Sequence, residues 1–376
     1  MKNVKDENEK ILSEEIGEEI DAIDEAEKFV NENVSEVDGE EISVENDGEK
    51  PLDKNVKLMS PMRMILRRFF RSKLSVAGII MLAALFLFCW VGPLVYHPYS
   101  PNQVDYDGKT EYTINVIEND DGTVFNQVVV KRKDINDLAG CSSKHLLGTD
   151  EKGMDIFTRL MYGGRLSLTL SFITVFLISA LGIIMGGLAG YYGGIVDNII
   201  MRLCDVLMCL PTLPLMLIIG TILDANHVPS EYYIYLLMGL LAFFSWTGMA
   251  RLVRGQILYL REQEYMVAAE AMGYSAARKI FKHLIPNILP QIIVTMTLSL
   301  GSMILYESTL SYLGLGVKIP NASWGTMIEI ISKRPDILKN NFNVWAPAGL
   351  CIIIAVLGFN FIGDGLRDAL DPKQRR

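Results

Sequence analysis

The side chains that could carry chemistry in this sequence do not form the sets needed for nucleotide or metal chemistry. A phosphate-binding loop needs a glycine five residues before Gly108-Lys109-Thr110, and Gln103 stands there. No HExxH pair occurs, and the histidines and cysteines are scattered without the spacing of a zinc or redox site: His97, His145, His227, His283, Cys89, Cys141, Cys204, Cys209 and Cys351. We therefore predict no catalytic residues, no metal ligands, no cofactor and no hydrolysis of nucleotide by this chain.

The segment 262–286 has a composition suited to binding another protein. It predicts a short helix rich in small residues, a break at Gly273 that suits a left-handed turn, and a second helix that begins after Ser275 as N-cap. Small side chains allow a helix to approach a partner closely, and cations surround the segment. We expect it to fit a groove on a separate protein.

A few polar residues and prolines interrupt or border the apolar runs. Arg202 and Asp205 are three apart, so they share one helix face and can pair, as a structural clamp or as part of a gate. Pro211 and Pro214 predict a bend, which suits either a moving gate or static packing.

Glu307 is the one acid at the outer end of the fifth apolar run. An ionisable side chain at that depth faces the interior of a helix bundle or a wet cavity, so Glu307 is a candidate for the pathway wall or an outer gate. A hydrogen-bonded cap on the glycine-rich turn at 314–316 explains it equally well.

The elements that must position these residues are membrane helices. Half of the 376 residues are hydrophobic and the mean hydropathy is +0.26, which indicates a membrane protein. A helix needs about 20 apolar residues to cross a bilayer. Six runs without Asp, Glu, Lys or Arg approach or meet that length: 74–96, 166–190, 206–223, 232–250, 284–306 and 345–363. Glycines at 182, 186, 190 and 194 predict a seam of close helix packing in the second run.

The distribution of cations predicts the orientation. Basic residues crowd the start of the first run, follow the fourth run and follow the sixth: Arg63, Arg67, Arg68, Arg71, Lys73, Arg251, Arg254, Arg261, Arg278, Lys279, Lys282, Arg367, Lys373, Arg375 and Arg376. Since cytoplasmic loops are rich in Lys and Arg, both termini and the segment 262–286 are expected in the cytoplasm.

The segments outside the apolar runs differ in charge and in predicted structure. Residues 1–57 carry 20 acidic and 7 basic side chains, which favours disorder, although Ile16, Ile20 and Ile23 allow one amphipathic helix. Between the first two runs, Tyr112–Ile117 and Thr123–Val130 predict a β-hairpin. We divide the chain into a tail (1–58), a first helix (59–97), an outer loop (98–163), a core (164–366, with a loop at 257–287) and a second tail (367–376).

The segment 262–286 resembles the coupling loop of ABC-transporter permeases. That pattern is Glu-Ala-Ala, three residues, Gly, nine residues, Ile, one residue, Leu-Pro. Val267-Ala268-Ala269, Gly273 and the stretch from His283 to Pro286 match its spacing, with Val267 in the position of the usual Glu and His283 in that of the Ile.

Further motifs resemble the C-type permeases of dipeptide and oligopeptide importers. The stretch from His145 to Asp155 is similar to their HxLGTDxxGRD segment, with Met154 where that family has Arg. Segments 201–211, 307–316, 323–325 and 363–372 match too, so the likeness runs from about residue 60 to the end.

This resemblance implies an all-α polytopic membrane protein with the fold of a type I ABC importer permease, six transmembrane helices and a small extracytoplasmic insertion containing β-strands. It implies a permease subunit for peptides in the inner membrane, working with a second permease subunit, two cytosolic ATPases and an extracytoplasmic binding protein, and with no nucleic acid. The coupling residues would be Glu264, Ala268, Ala269, Gly273, Ser275, His283 and Pro286.

Other functions remain open on the sequence. A nickel complex or another small solute is an alternative cargo within the same family. A secondary transporter or channel would carry ionisable residues near the bilayer midplane or an inverted repeat of broken helices, and an intramembrane protease would carry a catalytic pair. The six uncharged runs favour neither.

Overall fold

The computed structural model describes residues 61–107, 112–118, 124–130, 134–318 and 321–370. The acidic tail with Ile16, Ile20 and Ile23, the turn of the hairpin, and residues 371–376 lie outside the described residues. Described helices are α1 (Pro61–Arg71), α2 (Lys73–Val95), α3 (Ile156–Tyr192), α4 (Gly194–Cys209), α5 (Thr212–Ala225), α6 (Ser230–Ser245), α7 (Thr247–Arg261), α8 (Glu264–Ala271), α9 (Ala276–Lys279), α10 (Ile285–Leu310), α11 (Trp324–Lys333), α12 (Pro335–Asn340) and α13 (Phe342–Leu370).

Five helical stretches in this part of the chain are long and apolar enough to cross a membrane. They are Lys73–Val95, Ile156–Tyr192, Tyr232–Arg261, Lys282–Leu315 and Phe342–Leu370. Helices α4 and α5 form a sixth span only if they are taken together, because they meet at an angle of 78°.

The bend between α4 and α5 lies where the sequence predicted one. Leu210 is extended, and α5 begins directly after Pro211. A proline disfavours helical backbone in the residue before it, so α4 must end there. The predicted bend is confirmed at Pro211, and it divides the apolar run 206–223 between α4 and α5.

The predicted glycine seam joins α3 to α7. A Cβ on Gly182 would lie 2.5 Å from the Met249 Cβ, and one on Gly190 would lie 2.9 Å from the Ile257 Cβ. Between them, Gly186 lies against the backbone of α7, where a Cβ would be 2.9 Å from the Ala250 Cα. Gly194 departs from the seam, since its φ is +53° and a Cβ there would touch nothing.

A small β-structure stands between α2 and α3. Strand β2 (Tyr112–Glu118) pairs antiparallel with β3 (Val124–Val130), with Tyr112 opposite Val130, as the alternating pattern predicted. The short strands β1 (Tyr106–Asp107) and β4 (Asp134–Ile135) also pair antiparallel.

The largest apolar core joins α2, α3, α10, α11 and α13. Trp324, at the start of α11, has no exposed surface, and its indole N–H donates to the Leu160 carbonyl at 3.0 Å. This core extends from the end of the bundle where α3 begins, at Ile156, to Val175 in the middle of that helix. The opposite end of the bundle carries α8.

Candidate functional site

The elbow, residues 262–286, begins with α8 and turns at Gly273. The Tyr274 N–H donates to the Ala269 carbonyl at 3.1 Å and the Gly273 N–H donates to the Glu270 carbonyl at 2.8 Å, which are the two bonds of a Schellman cap. Gly273 has φ +71°, the left-handed conformation that the sequence predicted. The Ser275 Oγ accepts from the Arg278 N–H at 3.4 Å, as an N-cap does.

The two faces of α8 have different surroundings. Met266 and Ala269 are buried at 3% and 2% exposure, and Met266 packs in an apolar cluster with α7 and α10. Val267 and Met272 are 62% and 63% exposed, and Ala268 is exposed between them. Ala269 therefore anchors the elbow to its own bundle, and Ala268 faces outwards.

Polar contacts also hold the elbow to the bundle. The Lys279 Nζ lies 3.5 Å from the Glu270 carboxylate and 5.6 Å from the centre of the Tyr191 ring at the end of α3. The Asn287 amide donates to the Tyr265 hydroxyl at 3.3 Å. The ring of His283 stacks near that of Tyr274, with 5.9 Å between centres. Glu264 and Pro286 are exposed.

Two ion pairs join α4 to α7. Arg254 contacts both carboxylate oxygens of Asp197 at 2.5 Å. Arg251 contacts Asp205 at 2.5 Å, whereas Arg202, whose side chain is 85% exposed, is 3.9 Å from the same aspartate. The predicted Arg202–Asp205 pair exists at the limit of contact, and Arg251 is the closer partner of Asp205.

Glu307 is completely buried at the junction of α3, α10 and α11. The Ser311 hydroxyl donates to one carboxylate oxygen at 2.8 Å and the Ser167 hydroxyl donates to the other at 3.1 Å. The backbone N–H of Trp324 in turn donates to the Ser167 Oγ at 3.2 Å. This geometry favours the hydrogen-bonded cap over the pathway wall for Glu307.

A buried histidine lies between two carboxylates at the opposite end of the bundle. The His145 Nδ1 is 2.9 Å from the Asp155 Oδ1, and its Nε2 is 3.2 Å from the Asp105 Oδ2. Asp155 also caps α3, accepting from the Thr158 N–H at 2.8 Å. A hydrogen bond from the Asn136 amide, at 2.9 Å, and His145 hold the pKa of Asp105 below its usual value.

The structure brings together some of the predicted site residues and separates others. The predicted coupling residues lie together in the elbow, whereas Arg202 and Asp205 lie on α4, where Asp205 contacts α7 through Arg251. Glu307 belongs to a different cluster with Ser167 and Ser311. Sequence reasoning missed the pairing of Asp197 with Arg254, although an aspartate in the short stretch between two apolar runs signalled a need for a cation.

Two family models match this chain. The family model described as binding-protein-dependent transport system inner membrane component matches residues 161–376. The model described as N-terminal TM domain of oligopeptide transport permease C matches residues 60–113.

Similar curated proteins include two from Bacillus subtilis strain 168. The chain is 40% identical to the oligopeptide transport system permease protein OppC over 62% of this chain and 74% of that protein. It is 36% identical to the dipeptide transport system permease protein DppC over 82% of this chain and 85% of that protein. A solved structure of the inward-facing MetNI methionine ABC transporter matches 57% of this chain and 97% of that one, at 20% identity and a TM-score of 0.44.

Proposed function

This chain belongs to the family of binding-protein-dependent transport system inner membrane components, and we propose that it is a permease subunit of an ATP-driven peptide importer. The names of its relatives, oligopeptide and dipeptide permeases, support peptides as the cargo. Components of this family are not catalytic themselves, so a separate ATPase supplies the energy.

The single observation that carries the coupling role is the outward face of the elbow. Val267 on α8 and Met272, the C-cap residue that follows it, are more than 60% exposed, whereas Met266 on the same helix is buried in the bundle. Exposed apolar side chains grouped on a rigid support mark a protein-binding surface. The elbow, within the domain boundary 257–287, is the contact for the ATPase.

The orientation and assembly complete the proposal. The elbow and both termini lie in the cytoplasm, where the ATPases are, and the chain lies in the inner membrane. A second permease subunit supplies the other half of the path, two ATPases bind from inside, and a binding protein delivers peptide from outside. The segment 98–163 faces that binding protein.

The roles of the remaining site residues differ. Arg202 and Asp205 lie on α4, which is joined by an ion pair to α7, the helix that leads into the elbow, and α4 ends at the bend at Pro211, so we assign these residues to movement of the inner gate. Asp205 is held by Arg251, which ties that gate to α7. Glu307 anchors the junction of α3, α10 and α11 and does not line the path.

Transport by the complete complex in proteoliposomes tests this function. The complex of both permeases, both ATPases and the binding protein should accumulate labelled di- and oligopeptides only when ATP is supplied. Uptake of a nickel complex without uptake of any peptide would identify the nickel complex, and not peptide, as the cargo. Peptide uptake by this chain alone, without nucleotide, would overturn the proposal.

A further inference from the structure

One face of α10 carries neutral polar side chains along the whole length of the helix. At 100° per residue, Asn287, Gln291, Thr295, Ser302 and Thr309 fall within about 80° of one another. Leu298 and Leu305 complete this face, which contains no charged residue. From the first to the last of the five, the stripe is about 33 Å long, close to the roughly 30 Å thickness of a bilayer core.

This polar stripe lies on the surface of the chain. Asn287, Gln291, Ser302 and Thr309 are exposed, and Thr295 is half-buried. In α3 the arrangement is the reverse: four hydroxyl side chains are buried, at 2% exposure or less, and large apolar residues cover the outside. The buried group is Ser167, Ser171, Thr174 and Ser179, and the outer group is Phe172, Ile173, Phe176 and Leu177.

The same helix also has an apolar exposed face. Leu289 is 44% exposed and Ile293 is 42% exposed, and they lie on the other side of α10 from the stripe. They are two residues from Gln291 and Thr295 respectively, so each pair sits at nearly the same depth, about 3 Å apart along the axis. One side of α10 therefore suits lipid and the other side does not.

Hydrogen bonding sharpens the contrast between the two sides. The Thr295 and Thr309 hydroxyls donate to carbonyls of the preceding turn, at 2.9 and 2.8 Å. The side chains of Gln291 and Ser302 have no hydrogen-bond partner among the described residues. An amide or hydroxyl facing hydrocarbon without a partner costs several kcal/mol, about 4–8 in alkane transfer. Such groups need water, a second subunit or a passing solute.

We propose that the polar stripe of α10 lines the solute path and binds the backbone amides of the transported peptide. This rests on the proposed peptide import. The neutral donors and acceptors match the repeated N–H and C=O groups of a peptide, and the absence of charge avoids selecting among its side chains. The stripe starts at Asn287, which contacts Tyr265 of the elbow, so movement of the elbow reaches the path directly.

Thiol accessibility in the complete complex tests the stripe. Cys141 and Cys209, the exposed native thiols, are first replaced by Ser. Gln291→Cys, Ser302→Cys and Thr309→Cys are then compared with the matched controls Leu289→Cys and Ile293→Cys, using a charged methanethiosulfonate reagent. Because thiolates form only where water reaches, the stripe positions should react at least about tenfold faster than the controls. A saturating peptide should slow that reaction.

The outcomes separate this inference from the proposed function. Equal reactivity at stripe and control positions, in a complex that still imports peptide with ATP, overturns the stripe and leaves the function standing. Stripe cysteines that do not react with the reagent but form disulfides with the companion permease would show that the stripe is an interface between subunits. That result would also overturn the inference. Reactive stripe cysteines unprotected by any peptide, in a complex that imports none, would remove the peptide function.

In a second measurement, Gln291→Leu should lower peptide uptake about tenfold, since a hydrogen-bonding group is lost from the path. Leu289→Ala, at the same depth on the apolar face, should retain uptake. Uptake at the parental rate in Gln291→Leu would contradict amide binding by the stripe.

Discussion

Replacement of Gly273 isolates the backbone geometry of the elbow. A Cβ at this position would touch nothing within 4 Å, so the cost of a side chain comes from φ +71° alone. An L-residue in left-handed conformation costs about 1–2 kcal/mol, which lowers the equilibrium constant for the capped elbow by a factor of about 5–30. Gly273→Ala should reduce ATP-driven uptake accordingly, and Gly273→Val should reduce it further because β-branched residues tolerate this region least.

Two controls make the Gly273 series decisive. Gly273→Asn should retain most of the uptake, since Asn adopts the left-handed conformation readily. Gly255→Ala, on α7 and also free of contacts, has no left-handed φ to lose and should leave uptake intact. Peptide uptake and ATP hydrolysis are measured together, with co-purification of the ATPase as the readout of docking. Normal uptake by Gly273→Val, or equal loss in the Asn and Val variants, would refute the role of the turn.

Three further predictions follow from the other contacts. Asp197→Asn should lower the free energy of unfolding of the purified protein by about 1 kcal/mol, because the partly buried guanidinium of Arg254 loses its charged partner. The loss is measured as a lower melting temperature, and an unchanged melting temperature would show that the pair contributes nothing. Glu307→Gln should keep one acceptor for the two serine hydroxyls and retain uptake, whereas Glu307→Ala should destabilise the fold by about 1–3 kcal/mol, and tolerance of Ala in thermal unfolding would contradict the cap. Since the folded pKa of Asp105 is lowered, its contribution to stability is complete above its ordinary pKa of 3.8 and is lost as the pH falls through the lower, folded value; in unfolding measured as a function of pH, Asp105→Asn should therefore lose less stability than the parent protein below pH 3.8, and an equal loss in both would contradict this role of the carboxylate.

Local rules predicted the features that depend on neighbouring residues. Gly273 and Ser275 specify a turn and a cap through their own backbone preferences, and both are found. Pro211 specifies a bend, and the bend is there. The glycines at 182, 186 and 190 predicted a seam because their spacing alone places them on one face of α3.

Features that depend on tertiary contacts could not be predicted in this way. The partner of Asp205 is Arg251, 46 residues away, and the nearer Arg202 was the natural expectation. Ala268 and Ala269 are chemically identical, so only the packing of Met266 reveals which of them faces the bundle. Likewise, the serines around Glu307 come from different helices, and their approach is set by how α3 and α10 pack.

The glycine seam also determines how motion passes through the molecule. Helices α3 and α7 pack at close range along the seam, with Gly186 against the backbone of Ala250, and Gly182 and Gly190 against the first side-chain atoms of Met249 and Ile257, so little compressible space lies between them. Helix α3 has 37 residues, a length of about 55 Å. Helix α8 is separated from the end of α7 by two residues, so a displacement of α8 would tilt α7 and α3 together as a rigid pair. The opposite end of α3, next to Asp155 and His145, would then move as well.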